Sequence, residues 1–272
     1  MNFSGISNRS LAGKALRLPL RLLPPTLVLP ILQGKLRGRK WMTGSSNHGC
    51  WLGSYEYRER KAFEACVRAG RVVFDVGANV GYYTLLASVL VGPQGRVFAF
   101  EPVPSNLRLL KAHLRLNRTE NVEVVKAAVA EHAGYGHFAS GNNLSTGHLA
   151  AHGGFAVRIV WLDDLVRRGE LPPPDYMKID VEGAELEVLR GSESILTDHH
   201  PVLFLATHSR QLRAECCAFL RHAGYTLESL SKVGLEQANE VRAFVSRPAE
   251  VSSVGLPSNH QYSSATPARG AT

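Results

Sequence analysis

After Gly70 the chain settles into a rhythm that few folds can satisfy. Short β-branched or apolar runs at residues 72–76, 96–100, 122–129, 176–180 and 202–207 alternate with stretches whose apolar residues return at helical spacing. The runs are nearly continuous in apolar side chains, so each predicted strand needs cover on both faces. Helices are predicted through Leu107, Leu110 and Leu114, through Leu186 and Leu189, and through Leu212, Cys216, Phe219 and Leu220. Strands and helices in this alternation predict an α/β sheet with helices on both faces. An aromatic-rich stretch precedes it and ends in a predicted helix over residues 56–69, with Tyr57, Phe63, Cys66 and Val67 near one face. Residues 225–230 and 241–245 predict a closing hairpin.

The rhythm breaks between 134 and 154, where Gly, Asn, Ser and His predominate; a loop inserted in the α/β core is expected there, followed by an alternating strand over 155–161. Its Asn142, Asn143, Ser145, His148 and His152 suit polyol recognition, and equally a polar surface loop. At 272 residues and 44% hydrophobic the chain is globular in composition. Its net charge of +8 invites a nucleic-acid partner, but residues 1–40 hold eight cations and no carboxylate, leaving 23 cations against 23 carboxylates elsewhere. No nucleic-acid partner is therefore expected. Three segments are predicted: a basic, Leu/Pro-rich leader at 1–40, suited to solvent or to peripheral contact with anionic lipid; a catalytic-type domain at 41–247; and a disordered Ser/Pro-rich tail at 248–272. The longest uncharged stretch near the N-terminus is interrupted by Pro24, Pro25 and Pro30 and falls short of the roughly 20 residues of a spanning helix. Cys50, Cys66, Cys216 and Cys217 show no C-x-x-C spacing, which fits buried thiols in a reducing, cytoplasmic compartment.

The first strand runs into Gly77-Ala78-Asn79-Val80-Gly81, a turn that brings a ligand close to the backbone as a helix opens. A dinucleotide fingerprint would read G-x-G-x-x-G; here the spacing is G-x-N-x-G with Asp75 at its mouth. A carboxylate there repels a pyrophosphate but suits a cationic ligand free of phosphate, such as S-adenosylmethionine. Asn79 replaces a middle glycine without difficulty, because Asn visits the left-handed region more readily than most residues. The second strand ends in Glu101-Pro102, and an acid at that point can hold a ribose diol. Taken singly, Asp75 also reads as a loop-ordering carboxylate and Glu101 as a surface ion-pair partner. It is their order along the chain that points to an adenosine ligand.

The strings Phe74-Asp75-Val76-Gly77-Ala78-Asn79-Val80-Gly81, Phe100-Glu101-Pro102 and Lys178-Ile179-Asp180-Val181-Glu182-Gly183-Ala184-Glu185 resemble the FkbM family of S-adenosylmethionine-dependent methyltransferases, with Leu162-Asp163-Asp164-Leu165 as a further match. The resemblance spans roughly residues 70–208. It implies a class I methyltransferase with a Rossmann-like, seven-stranded, mostly parallel sheet containing one antiparallel strand, acting chiefly as an O-methyltransferase on small molecules or sugars. Carried over by position, it implies that Asp75, Gly77, Asn79 and Gly81 cradle the methionine part and that Glu101 holds the ribose. One departure stands out. Family members often carry a Glu near the end of the strand placed at 202–207, where this chain has Leu205-Ala206-Thr207-His208.

In an open α/β sheet the ligand lies outside the carboxyl ends of the strands, at the point where strand order reverses. Asp180 ends the fourth strand there, with Lys178 two residues back on the same side and Glu182 in the following turn. Methylating a hydroxyl requires loss of its proton, so Asp180 is the first candidate base, Glu182 the second and His208 the third. Lys178 and Asp180 also read as a buried ion pair, and Glu185 as a carboxylate placed by the helix dipole. The eleven His residues include no H-E-x-x-H or Cys/His zinc spacing, so no metal site is expected, although Asp180, Glu182 and His208 could together hold a divalent ion. The predicted partner is a small-molecule or glycan acceptor. A nicotinamide oxidoreductase would use a related sheet but lacks its fingerprint here, and a non-catalytic protein binding membrane or partner through the basic leader is a further alternative.

Overall fold

In the computed structural model, residues 23–140, 147–150, 155–231 and 233–245 are described. In chain order the elements before the main sheet are β1 (Val28–Pro30), β2 (Lys40–Met42), α1 (Gly49–Leu52) and α2 (Tyr57–Cys66). The first half of the sheet follows as β3 (Val72–Val76), α3 (Tyr82–Val91), β4 (Arg96–Phe100), α4 (Pro104–Leu116) and β5 (Val122–Val125). Next come β6 (Ala128–Val129), β7 (Gly134–Ser140), β8 (Gly147–Ala150), β9 (Phe155–Val160) and α5 (Leu162–Arg167). The chain then returns to the main sheet with β10 (Tyr176–Ile179), α6 (Glu185–Arg190), α7 (Glu193–Asp198), β11 (Val202–Ala206), α8 (Arg210–His222), β12 (Thr226–Ser229) and β13 (Glu240–Phe244).

The seven-stranded sheet has the order β12-β13-β11-β10-β3-β4-β5. Strands β5, β4, β3, β10 and β11 run parallel, and β13 is antiparallel to both of its neighbours. This is the seven-stranded, mostly parallel arrangement that the resemblance implied. The hairpin expected at the end of the chain is the β12–β13 pair. Continuous apolar runs make sense once both faces are seen to be covered. Phe74, Val76, Phe98, Met177, Ile179 and Leu205 face one core, and Val73, Val97, Tyr176 and Phe204, the alternate positions, face the other together with Leu85 and Phe63.

Three sequence expectations are corrected. The single strand expected over 122–129 is two: the Ala127 amide turns back to donate to the Val125 carbonyl at 2.9 Å, ending β5, and β6 pairs with β9 in a second sheet of order β6-β9-β7-β8. The expected inserted loop at 134–154 carries strands β7 and β8 of that sheet; period-two alternation is hidden there because glycines and polar residues interrupt the apolar–polar pattern. Asn142, Asn143, Ser145 and His152, read as polyol-binding groups, lie outside the described residues, as does the side chain of His148.

The third correction concerns the leader. Residues 23–40, predicted to belong to a basic arm, pack onto the body: β1 pairs with β2, and Ile31 and Leu36 are each 1% exposed in the core that holds Trp41 and Phe63. The expected boundary after residue 40 therefore runs through packed structure. Residues 1–22 and the predicted tail at 248–272 lie outside the described residues. Among the described residues no helix is long and apolar enough to cross a membrane.

Candidate functional site

Strand order reverses between β3, whose next strand β4 lies on one side, and β10, which lies on the other. At their carboxyl ends a cavity of about 300 Å³ opens, lined by every predicted site residue except Gly81. Gly81 sits at the start of α3, where it ends the turn in the left-handed region with φ of 92°. Gly77 is required there for a reason invisible in the sequence. Its φ is 84°, and a Cβ built on it would lie 1.9 Å from the backbone oxygen of Asp180, so the β3 turn and the end of β10 touch backbone to backbone. Asn79 also takes a left-handed conformation, with φ of 49°.

Glu101 is buried at the end of β4, and its two oxygens accept the amides of Asn79 and Val103, each at 2.8 Å. Burial pushes its carboxyl up to about 7, against the pull of those two amides. Asp75 is buried one strand away and accepts the Thr84 hydroxyl from the first turn of α3. Burial pushes it up to about 6, with the Thr84 bond and Lys178 acting in the opposite sense. The two acids thus flank the glycine turn, as a cationic nucleoside would need.

Lys178 stands opposite Asp75 in the β10–β3 register and is almost completely buried. Its Nζ lies 3.2 Å from Glu59 Oε1, 3.3 Å from Asp180 Oδ2 and 5.0 Å from the centre of the Tyr83 ring. Burial acts to lower this ammonium's pKa, yet the surrounding carboxylates of Asp180 and Glu59 hold it above the usual lysine range. Glu59, on α2, is pushed up to about 8 by its own burial, with Lys178 pulling it down. No pattern in the sequence marked Glu59 as part of the site, because it comes from the segment before the sheet and reads as an ordinary helix-surface acid. Glu56, at the N-terminus of α2 with φ of 38°, joins the same wall of the cavity together with Tyr55.

The third group adjoins the second through Asp180. Asp180 follows β10, Glu182 sits two residues on with φ of 56°, and His208 lies just beyond β11. His208 Nε2 is 3.4 Å from Asp180 Oδ1 and 3.3 Å from Glu182 Oε2, while its Nδ1 is bonded to Glu185 Oε1 at 2.7 Å. The Glu185 bond is the main reason the imidazole is raised to about 8, with Asp180 and Glu182 adding to it and burial opposing. Glu182 is itself raised, chiefly by burial. Glu185 is completely buried, and its role goes beyond the dipole-stabilising position expected of it: it orients His208. The signal available in the sequence was only its position three residues after Glu182. The candidate bases Asp180, Glu182 and His208 are therefore one cluster rather than three alternatives.

The chain is 33% identical over 135 residues to the hexuronic acid methyltransferase AglP of Haloferax volcanii, a match covering 46% of this chain and 51% of the relative. It is 30% identical over 161 residues to the 31-O-demethyl-FK506 methyltransferase FkbM of Streptomyces tacrolimicus, covering 47% of this chain and 61% of that protein. The chain thus spans about half to three fifths of the length of these curated relatives. Among solved structures it resembles methyltransferase FkbM from Methylobacillus flagellatus, with a TM-score of 0.48, 16% identity, and coverage of 73% of this chain and 55% of that one. It also resembles a precorrin-6y C5,15-methyltransferase from Geobacter metallireducens, with a TM-score of 0.45, 23% identity, and coverage of 71% and 88% respectively. Residues 75–227, from the Asp75 carboxylate to the first strand of the closing hairpin, match the family model for the methyltransferase FkbM domain, and the chain belongs to that family.

Proposed function

We propose that the chain is an S-adenosylmethionine-dependent O-methyltransferase that acts on a hydroxyl of a sugar, glycan or other small metabolite. One observation carries the reading. Glu101 at the end of β4 and the Asp180–Glu182–His208 cluster beyond β10 and β11 open into the same cavity, on either side of a glycine turn that admits a ligand to the backbone. When bound, the cofactor supplies a methyl group on a cationic sulfur. Glu101, with both oxygens already fixed by the Asn79 and Val103 amides, presents its remaining lone pairs to a ribose diol. Asp75 and the ends of β3 and β10 hold negative charge near the methionine part, which favours a cation and disfavours a pyrophosphate. The acceptor hydroxyl has to lose its proton during attack, and the cluster around His208 is where this chain can receive it.

The family and the curated relatives named above support transfer to oxygen on a sugar or a small metabolite. Calorimetry with S-adenosylhomocysteine tests the cofactor: Glu101→Ala should lose most of the affinity, and equal binding by both proteins would overturn the assignment. Asp180→Asn should keep that affinity while transfer of a labelled methyl group to fractionated small-molecule extract is lost. As to location, we propose a cytoplasmic enzyme whose basic N-terminal segment contacts anionic membrane. Sedimentation with phosphatidylserine vesicles, comparing the full chain with one lacking residues 1–22, tests it; equal sedimentation would reject the contact.

A further inference from the structure

The Asp180–Glu182–His208 cluster is not satisfied by the bonds it makes. A charge-assisted N–H···O bond closes to about 2.7–2.9 Å. Nδ1 of His208 makes such a bond, at 2.7 Å to Glu185, but Nε2 stands 3.4 Å from one carboxylate oxygen and 3.3 Å from another. A single N–H also cannot point at both. The three offered atoms lie within 4.8 Å of one another, on residues that line the cavity. Adjacent ligands of an octahedral ion with bonds of about 2.1 Å are separated by about 3.0 Å, so the two His208 distances would have to close by only a few tenths of an ångström for a metal, while the two carboxylates draw together from within 4.8 Å.

We propose that Asp180 Oδ1, Glu182 Oε2 and His208 Nε2 form a binding site for a hard divalent cation of the Mn²⁺ class. Glu185 is the independent support. A metal-bound imidazole characteristically gives its other N–H to a carboxylate, which fixes the tautomer and aims the free nitrogen lone pair at the ion. Here a carboxylate with no solvent exposure does this for Nδ1. The remaining charges agree. Lys178, the nearest fixed cation, is engaged by Glu59 and by the other oxygen of Asp180, Oδ2, so Oδ1 is left for the cluster. Glu56 and Glu240 add further carboxylates to the same cavity. One nitrogen and two oxygens leave about half of an octahedral shell open. The proposed acceptor can enter there, and the ion would offset the carboxylates that otherwise repel a polar oxygen approaching with its lone pairs first. That last step rests on the methyltransferase reading; the ion site itself does not.

The test is titration of Mn²⁺ into the full chain after treatment with a chelator and dialysis, followed by the loss of the free-ion paramagnetic resonance signal. Saturation near one ion per chain is expected. Asp180→Asn combined with Glu182→Gln should abolish saturable binding, and Glu185→Gln should weaken it about ten- to a hundredfold without touching a ligand. Each variant is checked by calorimetry with S-adenosylhomocysteine: retained affinity shows that the protein is folded and that the loss is local. Because Glu185 is buried, His208→Asn serves as a second, more exposed variant if Glu185→Gln fails this check. No saturable binding by the wild type, or binding unchanged in the double variant, overturns the proposal. Mn²⁺ binding without S-adenosylhomocysteine binding would instead overturn the cofactor reading and leave the ion site standing.

Discussion

At Gly77 two demands meet in one residue. The left-handed backbone costs an L-residue about 1–2 kcal/mol, and the approach of the Asp180 carbonyl leaves no volume for a Cβ. Gly77→Ala is expected to lower the urea midpoint by more than the backbone cost alone and to weaken S-adenosylhomocysteine binding, because relief of the clash moves the end of β10. A midpoint unchanged within error would mean the two backbones do not touch. Glu101 allows a pH prediction. Its folded carboxyl sits near 7, above the ordinary 4.5, so the unliganded site holds a proton below that pH and must release it to accept two ribose hydroxyls. Affinity for S-adenosylhomocysteine is expected to rise with pH up to about 7 and then level off, by at most tenfold per unit. In Glu101→Gln the affinity, weaker throughout, should lack that rise; the same slope in both proteins would assign the titration elsewhere. This pair of residues was legible from the sequence because local chemistry is written locally: a glycine that opens a helix after a strand, and an acid that ends the next one. The Asp180 carbonyl beside Gly77 was not, since it is brought there only by β3–β10 pairing across about a hundred residues.

Between elements, the apolar packing of the pre-sheet segment on the sheet is joined by one contact between two buried ionisable groups. Glu59 on α2 and Lys178 on β10 are both buried and 3.2 Å apart, so Lys178 is the main compensation for the solvent Glu59 has lost, while Lys178 is held by Asp180 and Glu59 together. Lys178→Met leaves Glu59 without its partner and is expected to cost about 3–5 kcal/mol in urea unfolding, whereas adding Glu59→Leu should recover most of that loss. Additive losses in the double variant would show that the two side chains do not interact. The periodicity that revealed the parallel strands says nothing of such cross-element pairing. It also failed at residues 134–154, where the strands pair with near neighbours in the chain but glycine removes the side-chain alternation on which the reading depends. Strands buried on both faces were the easiest to read, because burial forces an apolar residue at every position. Short ribbons with an exposed side were the hardest.

Across the whole molecule, the N-terminal region decides where the folded body starts and how the cavity is walled. Its composition, rich in Arg, Lys and Pro and free of carboxylates before Lys40, reads as a leader, since charge counts do not reveal which few apolar residues are turned inward. The fold turns Ile31, Leu36 and Trp41 against Leu85 and Phe63, on the sheet face that α3 also covers. Trp41 stacks on His113 of α4 with ring centres 3.7 Å apart, and Asn117 at the end of that helix bonds both backbone groups of Lys40. The segment then continues through Ser46, Tyr55 and Glu56 as one wall of the cavity, so its packing and the site are mechanically linked. Leu36→Ala distinguishes a leader from a structural layer. In a solvated arm it would leave the unfolding midpoint unchanged; with Leu36 only 1% exposed, truncation is expected to cost about 2–5 kcal/mol. The same variant should weaken S-adenosylhomocysteine binding less than it weakens stability, because Leu36 supports the wall without lining it, and a selective loss of binding at unchanged stability would place Leu36 in the site instead.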